Sequence, residues 1–217
     1  MNRVSSQQRG IKPFNPISCA WLIIFLMITL AGCGSDVAVN STPASGKMQT
    51  ITDCAGRTVQ VPVDPQRIAC LCPEAGHALA MYDKGQNIVA AVNGMQRDKL
   101  LVEMYPHITE VPVPKANGAI NIEELIAVQP DLVFIKAETI KNDAEMEKLA
   151  KTGIPVLGIQ FTNMREQQEA MRIIAQAVGA EAAWQKYQDF YESTVALVQD
   201  RVADLPDDER IRIYHSV

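Results

Sequence analysis

Aromatic residues make up only 6% of this 217-residue chain, histidine occurs three times, and the five cysteines are scattered. No two of them stand as Cys-x-x-Cys, which excludes a zinc module built on paired cysteines. Five cysteines are also too few for a disulfide-dense mini-protein, and 12 glycines with 12 prolines are too few for a collagen-like or low-complexity chain. A basic balance is missing: the net charge is −5, whereas a nucleic-acid partner asks for a basic surface. Catalytic patterns are absent as well. There is no Gly-x-Gly-x-x-Gly, no phosphate-binding Gly-x4-Gly-Lys, no Gly-x-Ser-x-Gly and no His-Glu-x-x-His. With His77, His107 and His215 alone, acid–base chemistry has few candidates, and no enzymatic reaction is expected. What remains is 47% hydrophobic and 21% charged, an ordinary globular chain with room for one to one and a half domains.

The first 32 residues read as a targeting segment. Arg3, Arg9 and Lys12 are the only charges before Cys33, and all three precede an apolar run at 17–32. A basic stretch, a short apolar stretch and then small residues make a secretory signal. The run is shorter than the roughly 20 apolar residues a spanning helix needs. It ends in Leu30-Ala31-Gly32-Cys33, which looks like a bacterial lipobox. Cleavage before Cys33 and acylation of that residue are therefore expected, and acyl chains alone can hold a protein on a membrane. Residues 33–48, polar and without aromatics, read as a flexible tether. The expected location is outside the cytoplasmic membrane.

Beyond the tether, strands and helices alternate. Residues 51–61 read as a small hairpin, with short apolar strands at 67–71, 88–92, 132–135 and 155–159. Between them lie helices at 75–82, 98–104, 121–129, 143–152 and 164–178. Asn121 with Glu124, and Asn163 with Glu166, have the spacing of a capping box. Apolar strands separated by helices imply an α/β fold, a parallel sheet with helices on both faces. From 180 to about 205 nothing breaks the helical pattern, a span of roughly 35–40 Å. Trp184, Tyr187, Tyr191, Thr194 and Val198 form one stripe along it, and Ala183, Phe190 and Leu197 a second. Pro206 ends the helix, and 211–215 reads as one more strand.

Several of these segments resemble one family. Ile51-Thr52-Asp53 with Gly56-Arg57, then Pro65-Gln66-Arg67-Ile68, is similar to the start of substrate-binding lipoproteins of ABC importers. Asn121-Ile122-Glu123-Glu124-Leu125 followed by Gln129-Pro130-Asp131-Leu132-Val133 resembles the most typical internal signature of the class serving iron–siderophores, haem and cobalamin. Gly153-Ile154-Pro155-Val156 is similar to its next strand. The resemblance implies two Rossmann-like lobes joined by one long helix, with ligand in the cleft between them. It assigns 49–179 to the first lobe, 180–206 to the interlobe helix and 207–217 to the start of a second lobe whose remainder is not in this sequence. It implies no cofactor. The implied partners are a chelated-metal small molecule, a permease dimer and, through Cys33, the membrane.

In such sheets ligands sit at the carboxyl ends of the strands. The expected ligand-facing residues are Cys72, Pro73 and Glu74 after the first strand, and Asn93, Gly94 and Met95 after the second. Ala116, Asn117 and Gly118 precede the capped helix, and Lys136 and Glu138 follow the next strand. Glu123 lies off the buried stripe of its helix, and the resemblance implies that an acidic residue there pairs with permease arginines. A bare metal ion held by Cys72, Glu74 and His77 is one alternative, and an extracytoplasmic α/β enzyme, for which no nucleophile–base pair is visible, is the other. Cys54, Cys70 and Cys72 read as buried thiols, with a bridge from Cys54 left open.

Overall fold

The computed structural model describes residues 46–206 and 208–214. The expected signal segment, Cys33 and the tether up to residue 45 lie outside them, as do residues 207 and 215–217. The described chain opens with a hairpin, β1 (Met48–Thr52) against β2 (Thr58–Pro62), paired from Met48 with Pro62 to Thr52 with Thr58. It starts inside what the sequence reads as tether. Strands β3 (Ile68–Cys70) and β4 (Ile88–Ala90) follow, then a two-residue hairpin of β5 (Lys115–Ala116) and β6 (Ala119–Ile120). Strands β7 (Leu132–Lys136) and β8 (Val156–Ile159) complete the set. Helices α1 (Pro73–Met81), α2 (Asn93–Arg97), α3 (Lys99–Met104), α4 (Ile122–Ala127), α5 (Ala137–Ile140), α6 (Asp143–Ala150), α7 (Met164–Ala177) and α8 (Glu181–Val202) fill the connections.

Four strands form one parallel sheet in the order β4-β3-β7-β8. The chain leaves β3 on one side for β4, then crosses back to β7 on the other, so the winding reverses between β3 and β7. Alternation along the strands sorts the core into two layers. Ile68, Cys70, Leu132, Phe134, Leu157 and Ile159 face one way, against Ala78 and Leu79 of α1 and Ile173, Ile174 and Ala177 of α7. Ala69, Leu71, Val133, Ile135 and Val156 face the other, against Leu125 of α4 and Leu149 of α6. This is the expected α/β architecture, a parallel sheet with helices on both faces.

Helix starts follow from side-chain caps. Asp98 Oδ1 accepts from Leu101 N (2.9 Å), Asn121 from Glu124 N (3.2 Å), Asn142 from Glu145 N (3.4 Å) and Asn163 from Glu166 N (3.0 Å). Each cap contributes about 1 kcal/mol. At α4 the return half of the expected capping box is replaced: the Asn121 N–H donates to Pro114 O (2.7 Å). The two motifs around Arg67 and Asp131 close on one another at the amino end of the sheet. Asp131 accepts from the backbone N–H groups of Gln66 (2.7 Å) and Arg67 (3.0 Å). In return the Arg67 guanidinium donates to Val128 O (2.6 Å) and Gln129 O (3.1 Å), the carbonyls left open where α4 ends.

The long helix α8 has 22 residues, about 33 Å, a little shorter than its sequence pattern suggests. Its first half packs on α7 through Trp184 and Tyr187, whose hydroxyl accepts from Gln168 Nε2 (3.1 Å). Thr194 and Val198, expected to continue that stripe, are exposed, as are Phe190 and Leu197 of the second one. The strand expected at 211–215 is not formed in its described part. Residues 211–214 have no regular structure, and Ile211 and Ile213 are 86% and 84% exposed. A strand is a pairing relation, and among the described residues none pairs with this segment.

Close packing makes one glycine a sensitive test of the fold. A Cβ placed on Gly85 would lie 2.5–2.6 Å from the ring of Tyr105, which is buried and tied to Asp83 Oδ1 (3.3 Å). Gly85→Ala is expected to cost about 1–3 kcal/mol by overpacking, read as a lower urea midpoint. An unchanged midpoint would mean the ring moves aside freely.

Candidate functional site

The reversal of winding between β3 and β7 opens a crevice at their carboxyl ends, where an open α/β sheet binds ligands. Glu74 leaves β3 in the first turn of α1, and Lys136 is the last residue of β7. Their side chains meet there, with Lys136 Nζ 3.6 Å from Glu74 Oε1. That separation is long for a charge-assisted hydrogen bond, and both side chains stay partly exposed. A depression of about 350 Å³ surrounds the pair, lined also by Glu138, Lys141, Gln160, Phe161 and Thr162. Glu74 Oε2 is buried at this place and has no hydrogen-bond partner among the described residues. A buried acceptor left open is a place for a donor from outside.

The expected strand-end residues divide into three groups. Glu74, Lys136 and Glu138 line the depression. Pro73, Asn93, Gly94, Asn117 and Gly118 sit at the same edge of the sheet without lining it. Gly94 lies beside Pro73, close enough that a Cβ on it would be 3.8 Å from Pro73 Cγ. Ala116, Asn117 and Gly118 belong to the hairpin of β5 and β6, and are exposed. The side chains of Cys72 and Met95 are placed otherwise than expected. Both are core residues, 1% and 0% exposed. Asn93–Arg97 is a helical turn rather than a loop, and it rolls Met95 inward against Gly76.

Sequence reasoning missed Lys141, Gln160, Phe161 and Thr162. The last three follow β8, and the same strand-end rule applied to that strand finds them. Lys141 could not be found that way, because it reaches the site through α5, a single turn with no periodicity to read.

The alternative metal site is not assembled. Burial pushes the Cys72 thiol up to about 12, and the Cys70 thiol well above its ordinary range. His77 turns away to Asp98, Nε2 to Oδ2 3.1 Å. Among the described residues no group of three His, Cys, Asp or Glu side chains is placed to hold an ion. Cys54, Cys70 and Cys72 are all free, so the Cys54 bridge is not formed within the described residues.

Glu123 is exposed in the first turn of α4, and its neighbour Glu124 is half-buried. Asn121, the cap of α4, follows β6 directly, so the Asn117–Gly118 turn and Glu123 belong to one continuous segment. Glu145 on α6 holds that segment from below, accepting from Ile120 N (2.9 Å) and from Lys148 Nζ (2.7 Å). Lys148 beside it, with the Ile120 N–H, holds the Glu145 carboxyl below the usual carboxylate range despite burial. Its stabilising contribution is therefore complete at neutral pH and fades only as pH falls below about 4.

This chain is similar to two curated proteins of Bacillus subtilis strain 168. One is an uncharacterized ABC transporter substrate-binding lipoprotein, YvrC, 24% identical over 91% of this chain and 62% of that protein. The other is an iron-uptake system-binding protein, 25% identical over 89% of this chain and 60% of that protein. The chain thus spans about three fifths of the length of these relatives. Among solved structures it is similar in fold to the molybdate-bound periplasmic binding protein MolA of Haemophilus influenzae. That likeness has a TM-score of 0.67 at 21% identity and covers 76% of this chain and 56% of that one. A family model described as periplasmic binding protein matches residues 69–216, well over half of the chain, and this protein accordingly belongs to the periplasmic binding protein family, a family of binding proteins rather than enzymes.

Proposed function

We propose that this protein is the substrate-binding component of an ABC importer, capturing a chelated metal outside the cytoplasmic membrane and handing it to a permease dimer. The observation that carries the reading is the Glu74–Lys136 pair in an open depression at the carboxyl ends of β3, β7 and β8. Lys136 and Lys141 offer charge to anionic oxygens, and Glu74 Oε2 offers an open acceptor. Of the chelates served by the resembled class (iron–siderophores, haem and corrinoids), this chemistry suits an anionic chelate that also carries O–H or N–H donors, a ferric siderophore. Among the described residues Phe161 is the one aromatic in the lining, which offers little shelf for a flat macrocycle. The iron-uptake relative supports the same reading.

The test is calorimetric titration of the purified chain with ferric enterobactin, haem, cyanocobalamin and molybdate. Ferric enterobactin is expected to bind and the other three to bind at least about tenfold more weakly, a difference of about 1.4 kcal/mol. Binding of molybdate alone would replace the chelate with a bare oxyanion.

Glu123 is the contact with the permease in this reading, and Cys33 the lipid anchor. Exposed charge pairs of this kind set encounter rate more than affinity. Glu123→Ala is expected to leave the titration unchanged while slowing association with permease-containing vesicles roughly tenfold. A weakened titration would move Glu123 into the ligand site. The anchor is tested by fatty-acid labelling, which Cys33→Ala should abolish.

A further inference from the structure

We propose that Glu145, on a helix that does not line the depression, is the positioning residue of the β5–β6 hairpin, and that this hairpin makes the Asn117–Gly118 turn and the Glu123 helix start one mechanical unit. The proposal rests on the reading of this sheet edge as the ligand site and of Glu123 as the permease contact.

The hairpin has only two residues in each strand, Lys115 opposite Ile120 and Ala116 opposite Ala119. Asn117 (φ 51°) and Gly118 (φ 82°) are both left-handed, the signature of a tight turn whose twist matches the strands it joins. So short a pair is marginal by itself, and its geometry must come from its attachments. Three are present. The base is closed by the Asn121 N–H on Pro114 O (2.7 Å). One corner is held by Lys115 Nζ donating to Thr139 Oγ1 (3.1 Å). The other is held by Glu145, which takes the buried N–H of Ile120, while the Ile120 side chain packs in the core layer with Leu125 and Leu149.

Glu145 is well fitted to this role. It is only 6% exposed, and its own backbone N–H is capped by Asn142. Its second oxygen is fixed by Lys148 (2.7 Å). A buried N–H without a partner is rare, and among the described residues no other acceptor stands on Ile120 N. From Ile120 the chain passes straight into the α4 cap, where Asn121 holds the N–H groups of Glu124 and Leu125 through its side chain and its carbonyl. A shift of the turn tip is therefore transmitted to Glu123, two residues beyond the cap.

Amide hydrogen exchange on the full chain tests this without any ligand. In Glu145→Ala the amides of Ile120, Asn121, Glu124 and Leu125 are expected to exchange about tenfold faster or more, together, as loss of a charge-assisted hydrogen bond implies. Those of Phe134 and Leu157 should keep their rates. Glu145→Gln should restore protection, since the carboxamide oxygen accepts the same N–H. Acceleration at Ile120 alone would overturn the mechanical unit. Equal acceleration at Phe134 and Leu157 would reduce Glu145 to a general staple of the fold, and no change at all would remove its role. Each outcome stands whether or not ferric enterobactin binds, so failure here and failure of the ligand reading are told apart.

Discussion

Replacing Asp53 with alanine is expected to lower the stability of this protein by about 3–4 kcal/mol, a large part of the 5–15 kcal/mol typical of a whole domain. Asp53 is a charged residue at 4% exposure, which is rare without full pairing. Its Oδ1 accepts from the backbone N–H groups of Ala55 and Arg57, both at 3.0 Å. Its Oδ2 accepts from Gly158 N (2.9 Å) and from Arg57 Nη2 (2.7 Å) and Nε (3.1 Å). The same guanidinium goes on to Val156 O (2.8 Å), and Cys54 N donates to Gly158 O (2.9 Å). Asp53 thus fastens the first hairpin along the open edge of β8, covering backbone groups that would otherwise stand unpaired.

In Asp53→Ala the N–H of Gly158 loses its acceptor inside the fold, and the two turn amides lose theirs. Arg57 is a third exposed and recovers part of its hydration, so the full cost of stranding a buried charge is not expected. Asp53→Asn makes the sharper case. Its amide oxygen can still serve Ala55 and Arg57, but its NH2 would face two donors, the Gly158 N–H and the guanidinium. It should therefore cost nearly as much as alanine. The measurement is the free energy of unfolding in urea for both variants, and an asparagine variant as stable as the parent would show that the Oδ2 contacts contribute little.

Asp53 also shows what kind of information the sequence carries. Ile51-Thr52-Asp53 with Gly56-Arg57 is recognisable as a motif, yet nothing in it says that the carboxylate is buried against Gly158, 105 positions away. Elements with local causes are legible: the apolar strands β3 and β8, the apolar run Leu132–Ile135 of β7, and the Asn caps at 121 and 163, which set helix starts within a few residues. The motif of Gln129, Pro130 and Asp131 was legible as a pattern, but its cause is a long-range exchange of hydrogen bonds with Gln66 and Arg67. The single helical turns α2 and α5 were not legible, because a turn of four or five residues has no period to read. That is why the strand-end rule points Met95 into the cleft when its side chain is core. Cys72 fails for a different reason: it is the cap of α1, two residues past the end of β3, and its side chain is still buried there. Asn117-Gly118 is a strong hairpin signal, but the two-residue strands that flank it are too short to show a strand pattern of their own. The alternation of Ile211 and Ile213 is what a strand requires on one side of the pairing only.

Reversing the charge at Lys136 should have the largest effect on binding. In the proposed function Lys136→Glu is expected to weaken ferric enterobactin binding about 100-fold, roughly 3 kcal/mol, with little change in stability. The small stability cost follows from position, since Lys136 ends its strand with its side chain 45% exposed and its ion pair with Glu74 is 3.6 Å long. The large binding cost follows from what surrounds it. The variant would gather carboxylates at 74, 136 and 138 around one mouth, and like charges placed against an anionic ligand cost several kcal/mol. Because the site is open, part of this is screened, and the gap between variant and parent should narrow as salt is raised from 0.05 to 1 M. Glu74→Gln supplies the opposite sign. It frees Lys136 of its partner while keeping an amide oxygen as acceptor, so binding of the anionic chelate should tighten severalfold. A cationic ligand would reverse both signs, with Lys136→Glu binding better and Glu74→Gln worse. If neither variant changes the titration, the ligand lies over the neighbouring turns of Asn93–Gly94 and Asn117–Gly118, and the Glu74–Lys136 pair is part of the scaffold beneath it.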